Sequence, residues 1–158
     1  ARQLNYFGQI AVDDAHHVIT GACSDFADKR DSQCLEQIVE LTEENAEKIN
    51  RAKAEGRRVV AVGTTTVRTL EGVALLDQDH GKNHFIHPYR GEINMFIKPG
   101  FEFKIIDAMI TNFHLTKSTL LTLVSAFAGD QEFMIDCYKK AVEEKYRFFS
   151  FGDAMFIV

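Results

Sequence analysis

Two polar segments of this sequence carry side chains that could bind a ligand or transfer a proton. The segment 64–66 follows the apolar run 58–63, and the segment 112–119 follows the predicted strand 103–110. In parallel α/β folds, strand ends and helix N-termini meet at one edge, where free N–H groups bind anions and hydroxyl-rich ligands. We therefore predict a ligand site at this edge. The candidate residues are Thr64, Thr65, Thr66, Arg68, Asn112, His114, Lys117 and Ser118.

The same residue types also have purely structural explanations. Threonines at 64–66 can simply cap a helix. His80, His84 and His87 have a loose metal-like spacing, but a hydrophilic loop with scattered histidines also explains them, and we predict no metal site. The acidic pair 13–14 is either two catalytic carboxylates or an ordinary hairpin turn.

The aromatic segment 148–151 is the remaining candidate. Phe148, Phe149 and Phe151 could stack on a nucleobase or belong to the core. The phosphate-binding, dinucleotide-binding and nucleophile-elbow motifs are absent from the sequence.

Composition narrows the class of protein. The chain has 158 residues, a net charge of −5 and 46% hydrophobic residues, which is typical of a soluble globular domain without a strongly basic surface for nucleic acid. Its three cysteines form no CxxC pair, which favours reduced thiols and a cytoplasmic location. We see no membrane-length apolar run and no signal peptide. The first residue is Ala1, which predicts a fragment or a trimmed product.

The first half of the chain predicts a hairpin and one βα unit. Strands at 6–12 and 17–22 form the hairpin, and a helical pattern begins at Asp31 and runs through Ile38 and Leu41. Thr42 caps a helix over 43–55. The run 58–63 is then a strand buried on both faces, and a helix follows it through Leu76.

The second half repeats this arrangement. We predict a loop at 77–92, a strand at 93–97 and a strand from 101 to about 110, with 111–114 as its exit loop. Thr116 caps the next helix, Gly129 and Asp130 end it, and another helix covers 131–146. An aromatic loop at 148–153 leads into a last strand, 154–158.

Four segments closely resemble one enzyme family in the same order. They are 60–71, 96–104, 110–121 and 146–155, and they are similar to the S-adenosylmethionine:tRNA ribosyltransferase-isomerases of queuosine biosynthesis. The resemblance covers about 42–158, the C-terminal part of that family. Thr116 stands where the family usually has Pro, Gly72 where it has Ser, and Phe101 and Phe151 where it has Tyr.

The resemblance implies a fold and an activity. The fold would be α/β, a partial α/β barrel with parallel strands. The reaction would transfer the ribosyl part of S-adenosylmethionine to 7-aminomethyl-7-deazaguanine in a tRNA anticodon and isomerise it, giving epoxyqueuosine, adenine and methionine. S-adenosylmethionine is then a consumed substrate, and no cofactor or metal is implied. The other partner is the tRNA; a membrane is not implied.

Roles for individual residues follow from the resemblance as hypotheses. His114 would act as acid or base, because a helix N-terminus nearby favours a neutral imidazole. Residues 64–66 with Arg68, and Lys117 from the second segment, would hold the methionine carboxylate or a tRNA phosphate. Asp153 would bind ribose hydroxyls or pair with Arg147. The remaining predicted substrate contacts are Asn112, Ser118 and Phe149.

Residues 1–40 resemble something else, a fragment of a DDE-class insertion-sequence transposase. The segments 4–13, 17–21 and 31–35 carry that resemblance. We therefore predict two regions, 1–41 and 42–158, as in a fusion or a reading-frame artefact. The alternatives to an active enzyme are a catalytically inactive fusion fragment, which as an incomplete barrel would self-associate, or a transposase-derived piece that binds nucleic acid.

Overall fold

The structure is a computed structural model that describes residues 6–13, 19–26, 38–76, 85–115, 118–149 and 151–158. Within these ranges the chain forms strands and helices in a mixed α/β order. They are β1 Tyr6–Asp13, β2 Ile19–Phe26, β3 Ile38–Leu41, α1 Glu43–Ala54, β4 Val59–Val62, α2 Thr64–Leu76, β5 Tyr89–Glu92, β6 Ala108–Asn112, α3 Thr119–Ala128, α4 Gln131–Glu143 and β7 Ala154–Ile157.

Five strands form the main sheet in the order β2-β1-β4-β6-β7, and β3 pairs with β5 in a separate two-stranded sheet. The expectation of parallel strands holds only for β4 and β6, because every other described pair is antiparallel. The mixed α/β class is confirmed. The described strands form open sheets and not a closed barrel.

The predicted hairpin is confirmed, since β1 and β2 pair antiparallel. Its turn, 14–18, and the predicted helix start at 31–37 lie outside the described residues. On its other side β1 pairs with β4, with Ile10 opposite Val62 and Asp13 opposite Val59. A strand from the predicted region 1–41 thus lies in the same sheet as β4. The division at residue 41 stays a prediction.

The βα unit around β4 forms as the sequence predicts. The Thr42 hydroxyl accepts a hydrogen bond from the Asn45 N–H at 3.3 Å and so caps α1. Along β4, Val59, Val60 and Ala61 are all buried. A strand buried on both faces is what a continuous apolar run of β-branched residues favours.

The helical interpretation of Ile38 and Leu41 is wrong, because these residues form β3. Val39 and Leu41 are buried and Glu40 is exposed, which is the two-residue period of a strand. Their partner β5 lies in the segment predicted as a loop, with Leu41 opposite Tyr89. Because β5 is about fifty residues from β3 in sequence, the residue pattern around β3 does not reveal this strand pairing.

The predicted strand at 93–97 is also wrong, and the strand predicted from 101 to about 110 is confirmed only from Ala108 onwards. Segment 93–97 is extended without ladder partners and packs over α2, where a Cβ on Gly72 would collide with the Ile93 side chain. The N–H groups of Lys104, Ile105 and Ile106 bind the Glu71 carboxylate at 2.8–3.0 Å. Because a side chain takes these donors, β6 begins only at Ala108.

The end of β6 and the start of α3 also differ from the prediction. Thr111 and Asn112 belong to β6 and pair with Met155 and Ala154 of β7, so they are not an exit loop. The N-cap of α3 is Ser118, two residues after the predicted Thr116. Gly129, in the left-handed conformation with φ of 74°, ends α3 as predicted.

The last two elements follow the prediction closely. Asp130 caps α4, which ends at Glu143 rather than near 146, and β7 forms at the predicted place. A hydrophobic core joins these elements around Ile49, Ile86 and Met109. In the described part of the chain, no helix is both long and apolar enough to cross a membrane.

Candidate functional site at the ends of β4 and β6

The two predicted polar junctions lie side by side. β4 and β6 are adjacent and parallel, with Val62 opposite Ile110. The Gly63 N–H continues this pairing by donating to the Ile110 carbonyl at 2.8 Å. Gly63 has a φ of 91°, a conformation that favours glycine, and α2 begins at the next residue. The expectation that both junctions share one edge is therefore confirmed.

The first junction is tightly built. Thr64 and Thr65 are buried, and the Thr66 hydroxyl donates to the Val62 carbonyl at 2.9 Å. The Thr66 hydroxyl thus bonds back to the carbonyl four residues earlier and does not cap the helix, although its oxygen can still accept a hydrogen bond. Arg68, one turn further along α2, is 8% exposed. A charged side chain with so little exposure needs a polar partner or ligand.

The second junction centres on His114, which is 7% exposed. Its Nε2 lies 2.9 Å from the Thr111 hydroxyl, and its backbone N–H donates to the Tyr138 hydroxyl at 3.1 Å. Burial raises the pKa of Tyr138, and the hydrogen bond from His114 offsets part of that rise. The sequence predicts Tyr138 only as part of an amphipathic helix, and nothing local to it indicates a bond across 24 residues.

The aromatic loop, here residues 147–149 and 151–153, closes over the end of β6. The Phe149 N–H donates to the Phe113 carbonyl at 3.0 Å, and the Asn112 side-chain amide donates to the Gly152 carbonyl at 3.3 Å. Asn112 therefore joins the loop to the strand end. The Phe149 side chain is 55% exposed, whereas Phe148 packs against Phe113 with ring centroids 5.2 Å apart.

Asp153 pairs with Arg147, one of its two predicted roles. Its carboxylate accepts the Arg147 backbone N–H at 2.8 Å and the guanidinium at 2.9 Å. Hydrogen bonds from Arg147 lower the pKa of Asp153. The Asp153 N–H in turn donates to the Arg147 carbonyl at 2.8 Å. These bonds hold the base of the aromatic loop.

A small cavity of about 90 Å³ lies where α2 and α3 approach each other. It is lined by Arg68, the segment 94–97, Thr119, Leu120 and Leu123. Arg68 thus faces the first turn of α3, so side chains from both junctions meet here. Sequence reasoning missed 94–97, because it interpreted that segment as a strand and gave it no part in the site.

The two other predicted contacts have different outcomes. The Ser118 hydroxyl is engaged in capping, since it donates to the Leu115 carbonyl at 2.8 Å and accepts the Leu121 N–H at 3.2 Å. Lys117 lies outside the described residues, as do His80 and His84. Among the residues that the structure does describe, no group of three side chains could hold a metal ion.

Comparison with known proteins decides the family. A family model described as "Queuosine biosynthesis protein" matches residues 17–157 of the chain. The chain belongs to this queuosine biosynthesis family. The matched range begins at residue 17. It therefore extends upstream of residue 42, the start of the region that the sequence analysis assigned to the family.

Two curated relatives of this chain have the same name. An S-adenosylmethionine:tRNA ribosyltransferase-isomerase from Natranaerobius thermophilus is 59% identical over 121 residues, covering 77% of this chain and 33% of the relative. One from Carboxydothermus hydrogenoformans is 58% identical over 123 residues, covering 78% of this chain and 34% of the relative. The chain thus spans about a third of the length of these relatives.

A solved structure from the same family has a similar fold. The S-adenosylmethionine tRNA ribosyltransferase from Thermotoga maritima is 48% identical, with a TM-score of 0.68. The superposition covers 78% of this chain and 41% of that one. The predicted family resemblance is confirmed by these comparisons.

Proposed function

We propose that this chain acts in tRNA modification, transferring the ribosyl part of S-adenosylmethionine to 7-aminomethyl-7-deazaguanine in a tRNA anticodon and isomerising it to the epoxyqueuosine side chain. The Gly63 N–H to Ile110 carbonyl bond is the observation that carries the proposal. It places the residues after β4 and those after β6 at one edge, in a chain of the queuosine biosynthesis family. S-adenosylmethionine and the tRNA are the proposed substrates, and no resident cofactor is proposed.

His114 is the proposed acid or base. The positive sulfur of S-adenosylmethionine acidifies the adjacent ribose carbon, so a base must take that proton, and adenine leaves more readily when an acid protonates it. A histidine suits both steps. The Thr111 hydroxyl at 2.9 Å from Nε2 orients the ring, and the Tyr138 hydroxyl fixes the His114 backbone.

Arg68 is the proposed anion-binding group. A guanidinium can bind a carboxylate or phosphate through two parallel hydrogen bonds. The cavity beside it holds about 90 Å³, whereas sites for whole small molecules are typically about 300–1,000 Å³. It therefore suits one end of the substrate, either the methionine carboxylate or a tRNA phosphate. The N–H groups at the start of α2 add to this preference for an anion.

The open sheet favours a second candidate, an inactive fragment of the family fold. The described strands leave β2 and β7 as sheet edges, and the chain spans about a third of its curated relatives. An incomplete fold of this kind would keep the site residues in place without completing the reaction. Exposed sheet edges also favour self-association.

A product assay separates these two candidates. The chain is incubated with S-adenosylmethionine and tRNA that carries 7-aminomethyl-7-deazaguanine, and the digested nucleosides are analysed by mass spectrometry. We expect epoxyqueuosine together with released adenine. His114→Gln retains a hydrogen-bonding side chain beside Thr111 but cannot act as an acid or base, so we expect it to abolish product.

Each result has a distinct meaning. Full product with His114→Gln would remove the proposed role of His114. Binding of S-adenosylmethionine without product in the unmodified chain would favour the inactive fragment. Neither binding nor product would overturn the proposed function.

A further inference from the structure

Phe149 combines exposure with an unfavourable backbone conformation. Its φ is 70°, in the left-handed region that is unfavourable for an L-residue with a bulky side chain. Its ring touches Phe148 at a centroid distance of 6.5 Å and is otherwise 55% exposed. Burial of the ring therefore does not explain why a phenylalanine occupies this position. Strain of this kind is common at binding sites.

The loop holds Phe149 in a defined place. The Arg147–Asp153 pair closes its base, and the Phe149 N–H binds the carbonyl of Phe113, the residue before His114. At Gly152 a Cβ would lie 2.5 Å from the Arg147 carbonyl oxygen, so the loop is too tight there for a side chain. An exposed aromatic ring is thus presented next to the candidate site on a backbone that these hydrogen bonds hold in place.

We infer that Phe149 is a stacking platform for a purine-type base. Aromatic rings that project from a rigid surface bind unstacked bases by stacking, and every base has a suitable flat face. The base would come either from an unpaired nucleotide of RNA or from the adenine of S-adenosylmethionine. This inference rests on the proposed function, whose two substrates both carry such a base.

Two cations near the loop in sequence are paired with carboxylates. The Arg147 guanidinium is mostly exposed but is bound to Asp153. On the preceding helix, Lys140 pairs with Glu143 and Glu144. The inference assigns base binding to the Phe149 ring and not to these cations. Loss of a stacking contact releases few counterions, so removal of the ring should leave the salt dependence of binding unchanged.

The test uses the full chain with two probes, a fluorescently labelled RNA hairpin with a single-stranded loop and S-adenosylmethionine. Phe149→Asn removes the ring while keeping a residue that tolerates a left-handed backbone. Phe149→Tyr keeps the ring. Phe133→Ala is the matched control, because Phe133 is 59% exposed on α4 and lies outside the loop.

We expect Phe149→Asn to weaken binding of one probe by about tenfold or more, with an unchanged salt dependence. Whichever probe is affected identifies the source of the base. Phe149→Tyr and Phe133→Ala should bind as the unmodified chain does. Because Asn relieves backbone strain, Phe149→Asn should also raise Tm by about 2–4 °C.

Three results would overturn the inference. The first is unchanged binding of both probes by Phe149→Asn. The second is no binding of either probe by the unmodified chain. The third is a fall in Tm with Phe149→Asn, which would show that the ring has a packing role. The product assay is independent, since epoxyqueuosine formation that survives Phe149→Asn with unchanged affinities would leave the proposed function intact while removing the platform.

Discussion

The Thr111 hydroxyl lies 2.9 Å from Nε2 of His114, and both residues are buried. Thr111 is itself fixed in the sheet, because it lies opposite Met155 in the β6–β7 pair. Strand pairing therefore determines where one ring nitrogen of His114 is held. A buried imidazole with one nitrogen held by a hydrogen bond has a defined orientation.

Thr111→Val tests this orientation, since valine has a similar shape but no hydroxyl. We expect the ring ¹⁵N signals of His114 to change and the free energy of unfolding to fall by about 1 kcal/mol. If the proposed function holds, kcat should fall more than KM rises, because the substrate-binding groups remain. Unchanged ring signals would show that Thr111 does not orient the imidazole.

Tyr138→Phe removes the acceptor of the His114 backbone N–H. A buried donor without a partner costs about 1–3 kcal/mol, so the free energy of unfolding measured with urea should fall by that amount. The amide of His114 should also exchange faster with solvent. Tyr146→Phe is the control, because Tyr146 is 48% exposed and its hydroxyl is not the acceptor of the His114 N–H. Equal effects of the two variants would contradict this account.

Glu71→Gln tests the anchor of the segment before β6. The fully buried carboxylate of Glu71 accepts three backbone N–H groups. Glutamine offers one oxygen and places its own N–H₂ against the remaining donors. We expect a loss of about 2 kcal/mol in the free energy of unfolding. The exposed Glu47→Gln on α1 should change it by less than about 0.5 kcal/mol.

The contrast between β4 and the region before β6 shows how far the sequence alone leads. The β4–α2 unit was predictable because an apolar run, a glycine and three threonines all lie within residues 58–66. The 101–107 segment was not predictable, because its N–H groups bind Glu71, more than thirty positions away. The β3–β5 pair was not predicted for the same reason, because Leu41 and Tyr89 are far apart in sequence and pair only in the folded chain.

The candidate site likewise has one part that the sequence predicts and one part that it does not. The common edge of the two junctions follows from general rules for parallel strands, so it could be predicted. The Tyr138 bond to His114 and the cavity beside Arg68 depend on how α4, α3 and 94–97 pack. No spacing within the sequence expresses that packing.

The Arg147–Asp153 pair makes the aromatic loop sensitive to acid. Hydrogen bonds from Arg147 hold the pKa of Asp153 below its ordinary value of 3.8. Because folding lowers the pKa of Asp153, the pair stabilises the fold at pH values above the pKa of the unfolded state. That stabilisation is lost as the pH falls through the pKa of the folded state. The loop should therefore stay closed above pH 3.8 and loosen below it.

A carboxyl ¹³C titration measures this directly. The Asp153 midpoint should lie below 3.8, and Arg147→Gln should move it back towards that value. Asp136, which pairs with Lys139 on the exposed face of α4, is a reference carboxylate that Arg147→Gln should not affect. An Asp153 midpoint at or above 3.8 would show that the pair does not form in solution.

The most direct test of the shared site is a ¹⁵N–¹H correlation spectrum of the chain with and without S-adenosylmethionine. The account predicts that the amide signals of 63–68 and 111–114 shift together, because the ends of β4 and β6 form one edge. Signals of the last turn of α1, where Lys53 binds Asp107 just before the start of β6, should not move. A spectrum that does not respond, or shifts confined to one of the two junctions, would contradict a common substrate site.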